Sequence, residues 1–99
     1  MQPVRTHSSL RSLRRRPDVI AQRVGETAVL VQLASNRIYE LNATGARIWE
    51  LLAEADSIEG LVSRLEGELE VDHDGLATEV SRIVSDLVKE GLVEHAGGR

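Results

Sequence analysis

IYELNATGARIWELL, residues 38–52, changes its period halfway along. Ile38 to Leu41 alternates as a strand does, whereas Gly45, Ile48, Trp49 and Leu52 follow the i, i+3, i+4, i+7 spacing of a helix face. Asn42 stands at the join and predicts the helix start, because its side-chain oxygen can accept a backbone N–H that the first turn leaves unpaired. The chain's only Tyr and only Trp, Tyr39 and Trp49, lie on either side of this join. Gly45 has no side chain, so a bulky neighbour is expected to pack against it, and Tyr39 is the candidate.

Towards the N-terminus the spacing predicts two more strands. Val19 to Val24 alternates, and Thr27 to Leu33 (TAVLVQL) is β-branched and apolar throughout. Gly25-Glu26 predicts a tight turn between them, and Ala34-Ser35-Asn36 a second one leading into Arg37 to Leu41. Two short connections in succession imply an antiparallel meander. On the third strand Arg37, Tyr39 and Leu41 share one face, with Ile38 and Glu40 on the other.

Towards the C-terminus two further helices are predicted. Ser57 caps one, with Ile58, Leu61, Val62, Leu65 and Leu69 on its apolar face. Asp72 or Asp74 caps the other, where an acid suits the positive end of the helix dipole. That last helix buries Leu76, Val80, Ile83, Val84 and Leu87, with Ala77 and Val88 widening the stripe. Gly91 ends it as a C′ residue, so that Leu92-Val93 can pack back. The expected fold class is therefore α+β, a three-stranded antiparallel meander followed by three helices, in the manner of a winged helix-turn-helix.

With 99 residues the chain holds one domain and buries a modest core, roughly 60–65% of its unfolded surface. It has 41% hydrophobic residues but no Phe, so Leu, Val, Ile and Ala must fill the interior. There is no Cys, which excludes disulfides, thiolate metal sites and Cys nucleophiles. No apolar run reaches the ~18 residues of a membrane span, and the N-terminus lacks the apolar core of a secretory signal, so a cytoplasmic location is expected. Residues 1–17 hold five of the twelve basic side chains and no acid, leaving seven basic against sixteen acidic side chains beyond them. The expected organisation is a basic flexible arm over 1–17, a folded domain over 18–94 and a loose tail over 95–99. Such an arm is either an electrostatic tether or a frayed terminus.

His7, His73 and His95 fall in the arm, at a helix start and in the tail, and the Asp72-His73-Asp74 run reads as helix capping, so no metal site and no cofactor are expected. No phosphate loop, nucleophile elbow or dinucleotide fingerprint is present, and the acids lie on exposed helix faces, so no enzyme activity is expected. A winged-helix DNA-binding regulator is the alternative that the architecture permits. Its reading helix would need a basic exposed face, yet Glu79, Arg82, Asp86, Lys89 and Glu90 on the last helix sum to −1.

An unpaired sheet edge remains. The third strand ends the meander, and such an edge must be blunted or used. Steps of 100° place Ala77, Ser81, Val84 and Val88 on an uncharged flank of the last helix, with Glu79 and Glu90 on the opposite flank. With the uncharged flank beside the third strand, backbone and apolar side chains would form a groove for an extended peptide. Val84→Asp would then stop peptide binding while leaving the fold intact. The same edge leaves a homodimer open.

The run VLVQLASNRIYELNATGARIWELL, with a V-D-H-D helix start and LVKEGLVE after it, resembles the family of the pyrroloquinoline-quinone biosynthesis D protein, also called the RiPP precursor recognition element. The likeness covers roughly residues 18–94. Its most specific part is Y-x-L-N-x-x-G-x-x-I-W, matched by Tyr39, Leu41, Asn42, Gly45, Ile48 and Trp49. The pattern is closer to the broad branch with stand-alone proteins of lasso-peptide and radical-SAM clusters than to the quinone-cofactor proteins. The resemblance implies a non-catalytic module that binds the leader segment of a precursor peptide as an added strand. It implies a leader site at Arg37, Ile38, Tyr39, Glu40 and Leu41, with the last helix, by the groove above at Ala77, Ser81, Val84 and Val88, as the other wall. The implied partners are the precursor and a modifying enzyme such as a radical-SAM enzyme, a leader peptidase or a cyclase.

Overall fold

The computed structural model describes residues 12–69 and 72–96. Its central sheet is the antiparallel meander of β2 (Val19–Val24), β3 (Thr27–Gln32) and β4 (Arg37–Leu41), in that order. Val24 pairs with Thr27, so Gly25 and Glu26 alone make the first turn, and Gly25 at φ +64° supplies the left-handed residue it needs. The second turn closes on Asn36 at φ +62°, a conformation that Asn tolerates better than most residues.

Three helices follow: α1 (Ala43–Leu51), α2 (Ile58–Glu66) and α3 (His73–Lys89). Each begins on the predicted cap. The side chains of Asn42, Ser57 and Asp72 accept from the N–H groups of Gly45, Gly60 and Gly75 at 2.9, 3.0 and 2.9 Å. Asp72, and not Asp74, is the cap of α3. At its far end Gly91 adopts φ +77°, and the Leu92 N–H reaches back to the Leu87 carbonyl at 2.9 Å. Leu92 and Val93 then bury fully.

The fold departs from expectation at its ends. A second sheet pairs β1 (Ser12–Arg15) with β5 (Val93–Ala96), antiparallel, with Leu13 opposite His95. Residues 12–17 are thus not a free arm, and the tail expected from 95 begins inside a strand. Residues 1–11 and 97–99 lie outside the described residues. SLRR carries a single apolar side chain, too little for a strand pattern, yet Leu13 is buried in the core and its N–H donates to the Asp56 carbonyl at 2.8 Å. Two of the arginines here meet acids within the chain: Arg14 meets Glu94 at 2.6 Å, and Arg16 meets Asp18 at 3.0 Å.

Leu30, Ile48, Leu61, Leu65, Val80, Leu92 and Val93 form the fully buried centre, between the sheet and the helices. Leu41, not Tyr39, approaches Gly45: a Cβ there would stand 3.4 Å from the Leu41 Cβ. The one buried polar side chain of the described residues, Gln32, is a bracket. Its Nε2 donates to the Gly91 carbonyl at 2.6 Å and its Oε1 accepts from the Ala34 N–H at 2.7 Å, tying the second turn to the end of α3. Gln32→Ala is expected to lower stability by about 1–3 kcal/mol, because both partners lose their bonds at once. A urea midpoint equal to wild type would show that water replaces the amide.

Candidate functional site

β3 occupies one edge of β4, and among the described residues no strand pairs with the other. That open edge borders a cleft of about 190 Å³ lined by Glu40, Leu41, Asn42, Gly45, Arg82, Ile83, Asp86 and Leu87. Its construction follows from local sequence. Asn42 ends the strand and starts α1, so the chain turns away immediately after Leu41 and leaves the edge uncovered. Gly45, without a side chain, keeps the α1 wall low. Ile83 and Leu87, one turn apart on α3, supply the apolar floor together with Leu41.

Charge sits on the rim. Arg82 pairs with Glu79 at 2.6 Å and with Asp86 at 3.5 Å, neutralising much of the wall. The hydrogen bond from Arg82 holds the Glu79 carboxyl below its usual range, and the same bond raises the guanidinium. At the end of α3, Glu90 accepts from the Tyr39 hydroxyl at 3.2 Å and lies 3.6 Å from the Arg37 guanidinium. These contacts pin the start of β4 to the end of α3 and close the cleft on that side.

The structure brings Arg37, Ile38, Tyr39, Glu40 and Leu41 together as the open strand. It does not bring Ala77, Ser81, Val84 and Val88 to them. Ser81, Val84 and Val88 face the other way, lining a hollow with Leu13 of β1, Ile58 of α2 and His95 of β5. Val84 is only 3% exposed and belongs to the core, and Ala77 packs against it half-buried. The groove expected between the uncharged flank and β4 is therefore corrected: the wall beside β4 is the Arg82, Ile83, Asp86, Leu87 and Glu90 side. Helical geometry in the sequence offered both flanks. The one signal for the right one was that Ile83 and Leu87 continue the core stripe past the charged residues.

Elsewhere the titratable groups form surface pairs. Arg47 bonds Glu68 at 2.5 Å, and that bond lowers the Glu68 carboxyl. Among the described residues no group of three or more His, Cys, Asp or Glu gathers to hold a metal, and no helix is long and apolar enough to cross a membrane. The cleft has backbone donors and acceptors on one wall and apolar floor beneath, which suits an extended chain rather than a small charged substrate.

Comparison with known proteins agrees with that geometry. The family model described as coenzyme PQQ synthesis protein D (PqqD) matches residues 27–93. A solved structure of TbiB1 in complex with the TbiA(beta) leader peptide superposes with a TM-score of 0.76 at 26% identity, covering 82% of this chain and 94% of that one. A lasso peptide synthetase B1 complexed with the leader peptide gives 0.72 at 25% identity, covering 82% and 95%. No curated protein matches the chain.

Proposed function

The chain belongs to the PqqD family, and on that footing we propose that it binds the leader segment of a ribosomally made precursor peptide and presents it to a modifying enzyme, taking no catalytic part itself. The observation that carries this reading is the open edge of β4 beside the cleft floored by Leu41, Ile83 and Leu87. Both structural relatives are complexes with leader peptides. A leader laid along β4 would satisfy the free backbone groups of the strand and drop alternate side chains onto the floor. Ordering the peptide costs entropy, which main-chain bonds and the burial of two or three apolar side chains offset. The winged-helix alternative has the wrong charge, since the exposed acids of α3 outnumber its bases.

Titrating isotope-labelled protein with the leader of the neighbouring precursor gene is expected to move amide resonances of Arg37–Leu41 and of Arg82–Leu87. Asp86→Trp, an exposed rim position, is expected to fill the cleft and weaken the leader at least tenfold, about 1.4 kcal/mol, with unchanged melting. N-methylating the leader residue by residue should weaken binding with a period of two, since every second N–H faces β4. A loss without that period would refute strand addition. Shifts produced by duplex DNA and by no leader would sink the peptide reading altogether.

A further inference from the structure

The charged side chains at the rim of the cleft pair with one another, apart from Glu40. Arg82 is held by Glu79 at 2.6 Å and by Asp86 at 3.5 Å, and Arg37 lies 3.6 Å from Glu90. Glu40 lines the same cleft and is exposed, yet among the described residues it has neither an ion pair nor a side-chain hydrogen bond. The sheet offers it no partner either. It stands opposite Val29, with Thr27 and Val31 as diagonal neighbours on β3 and Ile38 two residues back on β4, all uncharged. Its one vacant neighbour position lies on the open side of β4, where no described strand pairs. Side chains facing each other on adjacent strands approach to about 5 Å between Cβ atoms, where opposite charges attract and like charges repel.

Resting on the leader reading above, we propose that Glu40 sets the charge specificity of the site: the leader carries a Lys or Arg at the position that lies beside Glu40. Alternation fixes the rest of the pattern. The leader residues on either side of that cation point the other way, towards the floor of the cleft, and are apolar. The residue two positions from it stands beside Ile38, which is 69% exposed, and an apolar side chain there covers it. A fitting strand therefore reads apolar, cation, apolar, apolar, in that order or its reverse according to the direction in which the leader runs. The surrounding charge agrees, because Glu40, Glu79, Asp86 and Glu90 outnumber Arg37 and Arg82 at the rim. An acidic leader side chain at that position is repelled by Glu40 and finds both rim arginines already engaged. A charge at a strand edge also serves to keep edges of like copies apart, and the experiment separates that role from recognition.

The test titrates the full chain, as wild type, Glu40→Gln and Glu40→Lys, into the fluorescently labelled leader of the neighbouring precursor gene and reads anisotropy. At low salt Glu40→Gln is expected to bind about threefold and Glu40→Lys about tenfold more weakly than wild type, and high salt narrows both gaps. Melting should not change, since Glu40 is exposed; should the Lys variant melt lower, the Gln variant carries the test. Leaders with single Lys or Arg→Gln changes complete a double-mutant cycle, in which one position alone loses its effect on Glu40→Gln. Placing Glu at that position restores binding to Glu40→Lys. A leader without any Lys or Arg in its bound segment overturns the inference, as do variants that bind like wild type. So does an equal response of every leader cation, which would mean a general attraction to the acidic body. Variants that self-associate but bind the leader normally would make Glu40 a guard of the edge, and they overturn it too. A wild-type chain that binds no leader overturns the proposed function itself.

Discussion

Val84→Asp is expected to unfold the chain rather than to disarm it. Val84 is 3% exposed and packs in the same core cluster as Leu13, Leu61 and Val80. A carboxylate at this position would enter a cluster of buried apolar side chains, at a cost of several kcal/mol even when it takes up a proton. Against a total stability of roughly 5–15 kcal/mol for a domain, that cost leaves little or none. Far-UV circular dichroism at 25 °C should show most of the helix signal gone, and any residual fold should melt far below wild type. A folded variant that had merely lost its peptide would place Val84 on the binding cleft and contradict the packing described here.

The reason Val84 looked like a binding residue is instructive. Ser81, Val84 and Val88 sit on the flank of α3 that faces Leu13 of β1, Ile58 of α2 and His95 of β5. From the sequence, β1 is nearly invisible. Leu13 is its one apolar residue among arginines, and its partner strand lies some eighty positions away, so neither alternation nor a nearby turn announces it. With that cover missing, the uncharged flank reads as free and apolar, which is the description of a groove. The true wall beside β4 carries Arg82 and Asp86, whose charges are compatible with a cleft because they pair with each other and with Glu79 on its rim. The meander, the three caps and the Gly91 stop were legible because each is local: a turn residue, a capping oxygen or a helical period acts within a few positions. What was not legible is long-range, namely which flank of α3 the terminal strands would occupy. The open edge of β4 falls between the two cases. It follows from strand order alone, and strand order followed from the two short turns.

Trp49→Ala is expected to cost about 3–5 kcal/mol, the range for removing a large aromatic side chain from a core. The indole is 5% exposed, and three of its neighbours in the adjoining hollow, Ala21, Ala28 and Ala46, are too small to collapse into the space it would leave. That places the loss in the upper part of the range, since cavity cost grows when the surroundings cannot relax. The Arg15 guanidinium lies 5.5 Å from the ring centroid, so the substitution also removes a cation–π contact between β1 and α1. Because Arg15 is exposed, that contact contributes only about 0.5–1 kcal/mol, which Arg15→Ala measures separately. In the double variant the Arg15 effect should vanish, because its partner is already gone. Guanidinium unfolding of the four proteins gives all three quantities. A Trp49→Ala protein within 1 kcal/mol of wild type would mean that the indole does not hold α1 to the sheet. Leader affinity, measured where the variant remains folded, should change less than tenfold, because Trp49 lines the hollow with Ala21, Ala28 and Ala46 and not the cleft beside β4. Stability and binding thus separate along one face of a single helix, with Gly45 in the first turn bordering the open edge of β4 and Trp49, one turn further on, packed in the core.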